Sequence, residues 1–311
     1  MTEPILTITL NPALDIAART RRLVPRAKLR CDDVRYDAGG GGLNVARVLH
    51  RLGLKVHALY GAGGASGDHV AQLLAADGVP AERVSTAGVT RSNFAVGEIA
   101  SGEEYRFVLP GPELSDADWR RIRERAADLC PVSGHIVASG SLPIGAPVDA
   151  YAQLAEIARA RQCRFVLDTA GPALLSALDA GVHTIKPSRG EFLAATATDD
   201  LPAAIAVARR WIAGQRVERV AVSLGHEGAR VLTADGDWSF KAPPQKMSTT
   251  VGAGDAFVAG LVAADSQNLA PPRALLYAAA VAACAVADRG FAAVTPEMVA
   301  ARVVEFTRRR N

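Results

Sequence analysis

Short apolar runs alternate with amphipathic stretches along this 311-residue chain, and that alternation limits the fold more than any other feature. Residues 6–10, 56–60, 135–139, 165–168 and 220–224 are apolar enough to be buried on both faces, as strands are in a parallel sheet. Between them, residues 44–52, 68–77, 116–129, 148–161 and 202–214 carry apolar side chains at helical spacing. A chain that repeats strand and helix in this way folds as an α/β protein, with a mostly parallel sheet between two helical layers. Ligands then bind beyond the C-terminal ends of the strands. Neither a repeat nor a linker interrupts the pattern, so a single domain is expected over 1–311.

Two segments break the rhythm. Residues 16–37 place Leu29, Cys31, Val34 and Tyr36 among charges, and residues 93–109 alternate Phe94, Val96, Tyr105, Phe107 and Leu109 around a Ser101-Gly102 turn. Both read as exposed antiparallel strands, inserted at about 14–38 and 90–110, that build a small sheet outside the main one. An apolar sheet face without helices over it needs a cover, either the ligand cleft or a second copy of the chain. The expectation is a lid that also forms a homodimer; a hairpin packed on its own domain is the plainer alternative.

Lys and Arg total 35 against 32 Asp and Glu, with no basic stripe, so nucleic acid is not an expected partner. Cys31, Cys130, Cys163 and Cys284 lack metal-ligand spacing and read as reduced thiols of a cytoplasmic protein. The N-terminus enters a strand at once without a basic leader, and the apolar run 274–287 is short of the roughly 20 residues that cross a bilayer, so neither a signal peptide nor a membrane span is expected.

Candidate chemistry concentrates in glycine-rich turns. Residues 249–257 read Thr-Val-Gly-Ala-Gly-Asp-Ala-Phe from Thr250 onward and lead into an apolar helix. Unpaired amides and the positive end of a helix dipole favour an anion there, a phosphate above all. Asp255 is out of place in such a site unless it handles a proton or a metal, or merely caps the helix. A second cluster, Gly39-Gly40-Gly41-Gly42, opens the helix that carries Asn44, a residue able to hydrogen-bond sugar hydroxyls; a hinge is the alternative. Asp15 after the first strand, Ser139 in Ser139-Gly140-Ser141, and Lys186, Ser188 and Glu191 in one loop complete the strand-end polar groups. The turn 61–67 misplaces the third glycine of a dinucleotide fingerprint, and no P-loop lysine motif occurs.

The ordered pair Gly-Gly-Gly-Gly-Leu-Asn-Val-Ala-Arg at 39–47 and Thr-Val-Gly-Ala-Gly-Asp at 250–255 resembles the signatures of the ribokinase-like (PfkB) carbohydrate kinases. Within them the whole chain looks like the minor-isozyme, PfkB-type 6-phosphofructokinases, through Asn11-Pro12-Ala13-Leu14-Asp15, Lys28-Leu29-Arg30-Cys31, Thr90-Arg91, Tyr105-Arg106-Phe107-Val108, Ser139-Gly140-Ser141-Leu142-Pro143 and Ser223-Leu224-Gly225. The resemblance implies a ribokinase-like three-layer αβα sandwich with a small β-sheet lid. It also implies an ATP- and magnesium-dependent kinase acting on the C1 hydroxyl of fructose 6-phosphate.

Carried over by position, Asp255 becomes the general base, and the amides of Gly252, Ala253 and Gly254 the anion hole. Asp15, Asn44, Gly40 and Gly41 line the sugar, with Ser139 beside them, and Lys28, Arg91 and Arg106 meet its phosphate. Lys186, Ser188 and Glu191 serve the polyphosphate and, through water, Mg2+; Ser223, Gly225 and Gly228 serve the nucleotide. The family motif carries Asn where Ser188 stands, and relatives acting on fructose 1-phosphate or tagatose 6-phosphate carry Lys where this chain has Gly41. Thr249, Val251, Ala285, Asp288 and Gly290 match a monovalent-cation loop for K+, although Ala292 replaces an arginine of that loop. A sugar-phosphate sensor without catalysis, and an oxidoreductase built on the turn 61–67, are the competing expectations.

Overall fold

A computed structural model describes residues 3–241, 252–287 and 290–308. Its centre is a nine-stranded sheet. Strands β1 (Ile5–Thr9), β2 (Ala13–Thr20) and β3 (Asp32–Gly39) come first, then α1 (Gly41–Arg51), β4 (Val56–Ala62), α2 (Gly64–Ala76) and β5 (Ala81–Ser85). A hairpin, β6 (Arg91–Glu98) and β7 (Glu104–Phe107), precedes α3 (Asp116–Leu129), β8 (His135–Ser139), α4 (Ala150–Ala160) and β9 (Arg164–Asp168). The next stretch holds α5 (Gly171–Ala180), β10 (Val182–Ile185), α6 (Arg189–Thr196), α7 (Leu201–Ala213) and β11 (Val217–Ser223). Last come β12 (Ala229–Thr233), β13 (Gly236–Phe240), α8 (Ala253–Ser266), α9 (Pro271–Ala285) and α10 (Pro296–Arg308).

The order across the sheet is β13-β12-β11-β10-β9-β8-β1-β4-β5, parallel from β11 through β5, with β12 and β13 added antiparallel at one edge. Alternate strand residues feed two cores. Val137 packs with α1, α2 and α8–α10 on one face, whereas Ile136 and Ala138 pack with α3–α7 on the other. Each face thus hides its apolar side chains under helices, which is why these strands are apolar without interruption.

β8, β9, β10 and β11 are consecutive neighbours, and their C-terminal ends bring Ser139, Asp168, Lys186 and Ser223 to one edge. That edge carries the candidate site. The helix expected at 68–77 begins earlier, at Gly64, because Gly63 closes the turn by donating its amide to Thr90 Oγ1 at 3.0 Å. Pro243 and Pro244 lie outside the described residues.

The small sheet has the order β3-β2-β6-β7. Its two hairpins are antiparallel, as expected, but they join through a parallel pair, β2 with β6. Both strands leave the main sheet in the same direction, since β2 follows β1 and β6 follows β5 of one parallel set. The register sorts the side chains. Tyr36, Ile16, Phe94 and Phe107 are directly paired across the four strands and form an apolar row, while Asp37, Asp15 and Asn93 form a polar row one residue away. None of the helices in the described residues is long and apolar enough to cross a membrane.

Candidate active site

Helix α8 starts at a glycine because nothing larger fits. Gly252 is its N-cap at φ 76°, and a Cβ there would lie 2.3 Å from a ring carbon of Phe291. No side chain caps this helix, and Asp255 stands three residues in, so its carboxylate does not do the capping that the sequence left open. The Asp255 carboxylate instead accepts a hydrogen bond from Asn44 Nδ2 at 2.9 Å. Asn44 is therefore engaged with the carboxylate, not simply presented to a sugar. Burial pushes the Asp255 carboxyl up to about 7; the charge of Asp168 pushes the same way, while Asn44, Lys186 and Ser139 hold it back.

Asp168 and Lys186 form the floor. Lys186 Nζ lies 3.1 Å from Asp168 Oδ1, with the two side chains 6% and 14% exposed. Burial raises the Asp168 carboxyl against the pull of Lys186. For Lys186 burial acts downward, but Asp168, Asp255 and Glu191 more than offset it, and the ammonium is held above its ordinary value. A Cβ on Gly254 would be 3.1 Å from Lys186 Nζ, so the cation sits directly against the glycine loop. Ser139 Oγ reaches Asp168 Oδ2 at 3.5 Å. Gly41 closes the cluster from α1: a Cβ there would fall 2.1 Å from Ser139 Oγ and 3.1 Å from Asp255 Oδ1. The N-cap of α1 is Gly40, at φ 116°.

The loop after β10 is organised differently. Ser188 caps α6, its Oγ accepting from the Glu191 amide at 3.4 Å while Glu191 Oε2 accepts from the Ser188 amide at 2.7 Å. This is a capping box, and it spends one carboxylate oxygen of Glu191 on its own helix. Ser223 bridges to Ser188 across the sheet edge, its amide donating to the Pro187 carbonyl at 3.1 Å. Gly225 opens a single turn of 3-10 helix, joined to α6 by an Arg189–Glu227 ion pair of 2.7 Å. Gly228 has a packing reason of its own, since a Cβ there would overlap the Phe240 carbonyl.

On the lid side, Asp15 Oδ1 accepts from Asn93 Nδ2 at 2.8 Å, and the Asn93 carbonyl oxygen accepts the Leu109 amide at 3.2 Å. Burial raises the Asp15 carboxyl, while Asn93, Arg91 and Arg106 lower it. Arg91 donates to the carbonyls of Leu109 and Asn11 at 3.0 and 3.1 Å, which pins β7's exit to β1's exit. Arg106 lies on the exposed strand β7, within electrostatic reach of Asp15. Lys28 is not gathered with them; it stands in the exposed loop between β2 and β3 and forms no ion pair among the described residues. Of the monovalent-cation set, Thr249, Val251 and Asp288 lie outside the described residues; Ala285 ends α9, and Gly290 begins a short 3-10 helix.

Asp168 and Asn93 are the polar residues that sequence reasoning passed over. For Asp168 the available signal was a carboxylate on the last residue of a buried strand. A cleft of about 1600 Å3 opens at the opposite edge of the sheet, along the N-terminal ends of β9–β11, but Arg164, Arg209, Arg216 and Arg219 in its lining are already paired, with Glu3, Asp237, Asp179 and Asp265.

A mostly parallel sheet with an uncapped glycine helix start set over a Lys–Asp pair defines a phosphoryl-handling α/β protein with a lid. More narrowly, the chain belongs to the pfkB family of carbohydrate kinases, whose sequence model matches residues 8–298. It is 39% identical over 272 residues to the ATP-dependent 6-phosphofructokinase isozyme 2 of Mycobacterium tuberculosis, covering 84% of this chain and 80% of that one. It is 37% identical over 270 residues to the 1-phosphofructokinase of Xanthomonas campestris, covering 85% of each. The fold is ribokinase-like: phosphofructokinase-2 from Escherichia coli, solved in complex with fructose-6-phosphate, superposes with a TM-score of 0.90 at 31% identity, covering 98% of this chain and 99% of that one.

Proposed function

We propose that this protein transfers the γ-phosphoryl group of ATP to the C1 hydroxyl of fructose 6-phosphate, with Asp255 as the general base. The observation that carries this reading is the state of Asp255: a half-buried carboxyl pushed up to about 7, held by Asn44 and free of any capping duty at a helix start suited to an anion. The C1 hydroxyl gives its proton to Asp255 as its oxygen bonds to phosphorus, and ADP departs with the electrons of the broken P–O bond. The amides at Gly252, Ala253 and Gly254 meet the charge gathering on the transferred oxygens, and Lys186 adds a cation against the same loop.

Mg2+ neutralises polyphosphate charge in this chemistry. Glu191 fits a water-mediated contact to it, because only Oε2 is taken by the capping box. K+ belongs to the proposal through the loop at Ala285 and Gly290, and omission of KCl from the assay tests it.

The sugar lies on the polar row of the small sheet, against Asp15, with Arg91 and Arg106 toward its phosphate. Gly41 bears on the choice of sugar. A Cβ there would meet Ser139 Oγ at 2.1 Å, so the lysine expected in kinases of fructose 1-phosphate or tagatose 6-phosphate would require Ser139 to move. The apolar row supports a homodimer formed through the lid: although Ile16 packs on the main core and Tyr36 touches His69 of α2, Tyr36, Phe94 and Phe107 are 45%, 39% and 52% exposed, as is Val34 beside them at 51%. Four free cysteines fit a cytoplasmic protein.

The deciding experiment is ATP-dependent phosphorylation of a panel of hexose phosphates by the purified protein. Preference for fructose 6-phosphate is expected. Preference for fructose 1-phosphate would move the assignment to the 1-phosphofructokinases, and turnover of none would leave a sugar-phosphate sensor. A monomer at micromolar concentration in sedimentation would remove the lid dimer.

A further inference from the structure

Helix α1 presents Gly41, Asn44 and Arg47 at a spacing of three, which brings them to one side of the helix. The first two border Asp255. Arg47 has no part in the reaction described above, yet its side chain is only 10% exposed and is fully engaged. Nε donates to Asp77 Oδ2 at 2.6 Å, Nη2 to Asp37 Oδ1 at 3.0 Å and Nη1 to the Ala38 carbonyl at 3.5 Å. Its guanidinium carbon lies 5.5 Å from the centre of the Phe291 ring, within cation–π range. Phe291 is the ring that lies against Gly252, where a Cβ would come within 2.3 Å of it.

We propose that Arg47 is a positioning residue that ties the lid sheet to the anion loop, gripping β3 through Asp37 and Ala38 and seating Phe291 on Gly252. The proposal rests on the reading of these two ends as the sugar and phosphoryl sides. Asp77, at the end of α2, makes the shortest of the Arg47 ion pairs, though it is shared with Arg51 at 3.7 Å. The remaining contacts point elsewhere: two to the strand whose polar row holds Asp15, one to the ring under the first residue of the anion loop. A lysine has neither the planar face for the ring nor the fork for three acceptors, so charge alone does not explain the residue. Because Asn44 lies one turn away on the same helix, a shift of α1 also moves the partner of Asp255.

The tie can be cut from its exposed end. Asp37 is 53% exposed, so Asp37→Lys repels Arg47 without disturbing the core; it also changes the charge beside Asp15, so the tie is read from exchange and from coupling, not from its single effect on KM. Hydrogen exchange of the full chain should then speed up at the amides of 252–257 by roughly fivefold, the low end of ordinary intersite coupling. Unchanged exchange at 252–257, with faster exchange in β3 alone, would overturn the proposal.

Kinetics give the second arm. Phe291→Leu, although on the phosphoryl side, should raise the KM for fructose 6-phosphate as well as lower kcat. Asp37→Lys with Phe291→Leu should cost kcat/KM less than the product of the single effects, by roughly fivefold. A double variant equal to that product would also overturn the tie. Wild type without turnover on any sugar phosphate would count against the proposed function, and the exchange result would then decide the tie by itself.

Discussion

Two helix starts meet at the site, and each carries a carboxylate at its third residue: Glu191 in α6 and Asp255 in α8. Glu191 turns back on its own helix and accepts the Ser188 amide, while Ser188 closes the box from the other side. Asp255 makes no such bond: its carboxylate accepts from Asn44, and its N-cap, Gly252, packed under Phe291, has no side chain to close a box from the other side. The same helical position therefore serves local structure in one case and leaves a carboxylate to other partners in the second. The two starts differ at the cap, Ser against Gly, and in the acid, Glu against the shorter Asp, and together these leave one start closed on itself and the other open to chemistry.

The strongest way to break this comparison is to remove the charge at the open start. Asp255→Asn should keep the fold and lower kcat by about 10²–10⁴, the usual worth of a positioned general base. Steady-state turnover on fructose 6-phosphate checks it, and a loss below tenfold would mean that Asp255 is not the base.

The pH dependence comes next. A base must be ionised to act, so kcat/KM should fall as pH drops through about 7, tenfold per unit on the acid limb. Stability runs the opposite way. The folded carboxyl is raised above its ordinary 3.8, so the folded state holds more protons between about 4 and 7, and stability from this group declines as pH rises through that window. Asp255→Asn should therefore melt higher than wild type at pH 8, by roughly 1–2 °C for each kcal/mol recovered, and no higher at pH 4. Thermal melts at the two pH values test the sign.

Glu191 should behave in the reverse sense. Glu191→Ala removes half of the capping box, so melting should fall by an amount equivalent to about 0.5–1 kcal/mol, and the KM for MgATP should rise. An activity loss with an unchanged melting temperature would show that the box contributes nothing to the fold.

How far these features can be read from the chain depends on where the information lies. β1, β4, β8, β9 and β11 coincide with the five apolar runs, because strands buried on both faces need unbroken apolar residues. β5, with its exposed Ala81 and Ser85, and β13 are edge strands without such a signal, while β12 sends Val231 and Leu232 into opposite cores but is a short run that includes Arg230. The open start of α8 is legible because glycines and an acid stand together in a few residues. The partners of Asp255 are not. Asp168 meets Lys186 only through the parallel register of β9 and β10, with the whole of α5 lying between them in the chain. Ser188-Arg189-Gly190-Glu191 does carry the Ser-x-x-Glu spacing of a capping box, but its polar groups advertise metal chemistry just as loudly.

The smallest expected effect is also the sharpest test of what a cap does. Ser188→Asn restores the residue implied by the family resemblance, and Asn caps a helix as well as Ser does, so melting should stay within about 0.5 kcal/mol of wild type. The longer amide places its carbonyl further beyond the helix start than a hydroxyl reaches. If this loop meets a hydrated Mg2+, the KM for MgATP should fall by roughly twofold, the worth of a partial hydrogen bond, while the KM for fructose 6-phosphate stays fixed. A change in melting without a change in MgATP affinity would reverse the reading, making Ser188 part of the helix alone and leaving α8 as the one helix start of the pair that meets the substrates.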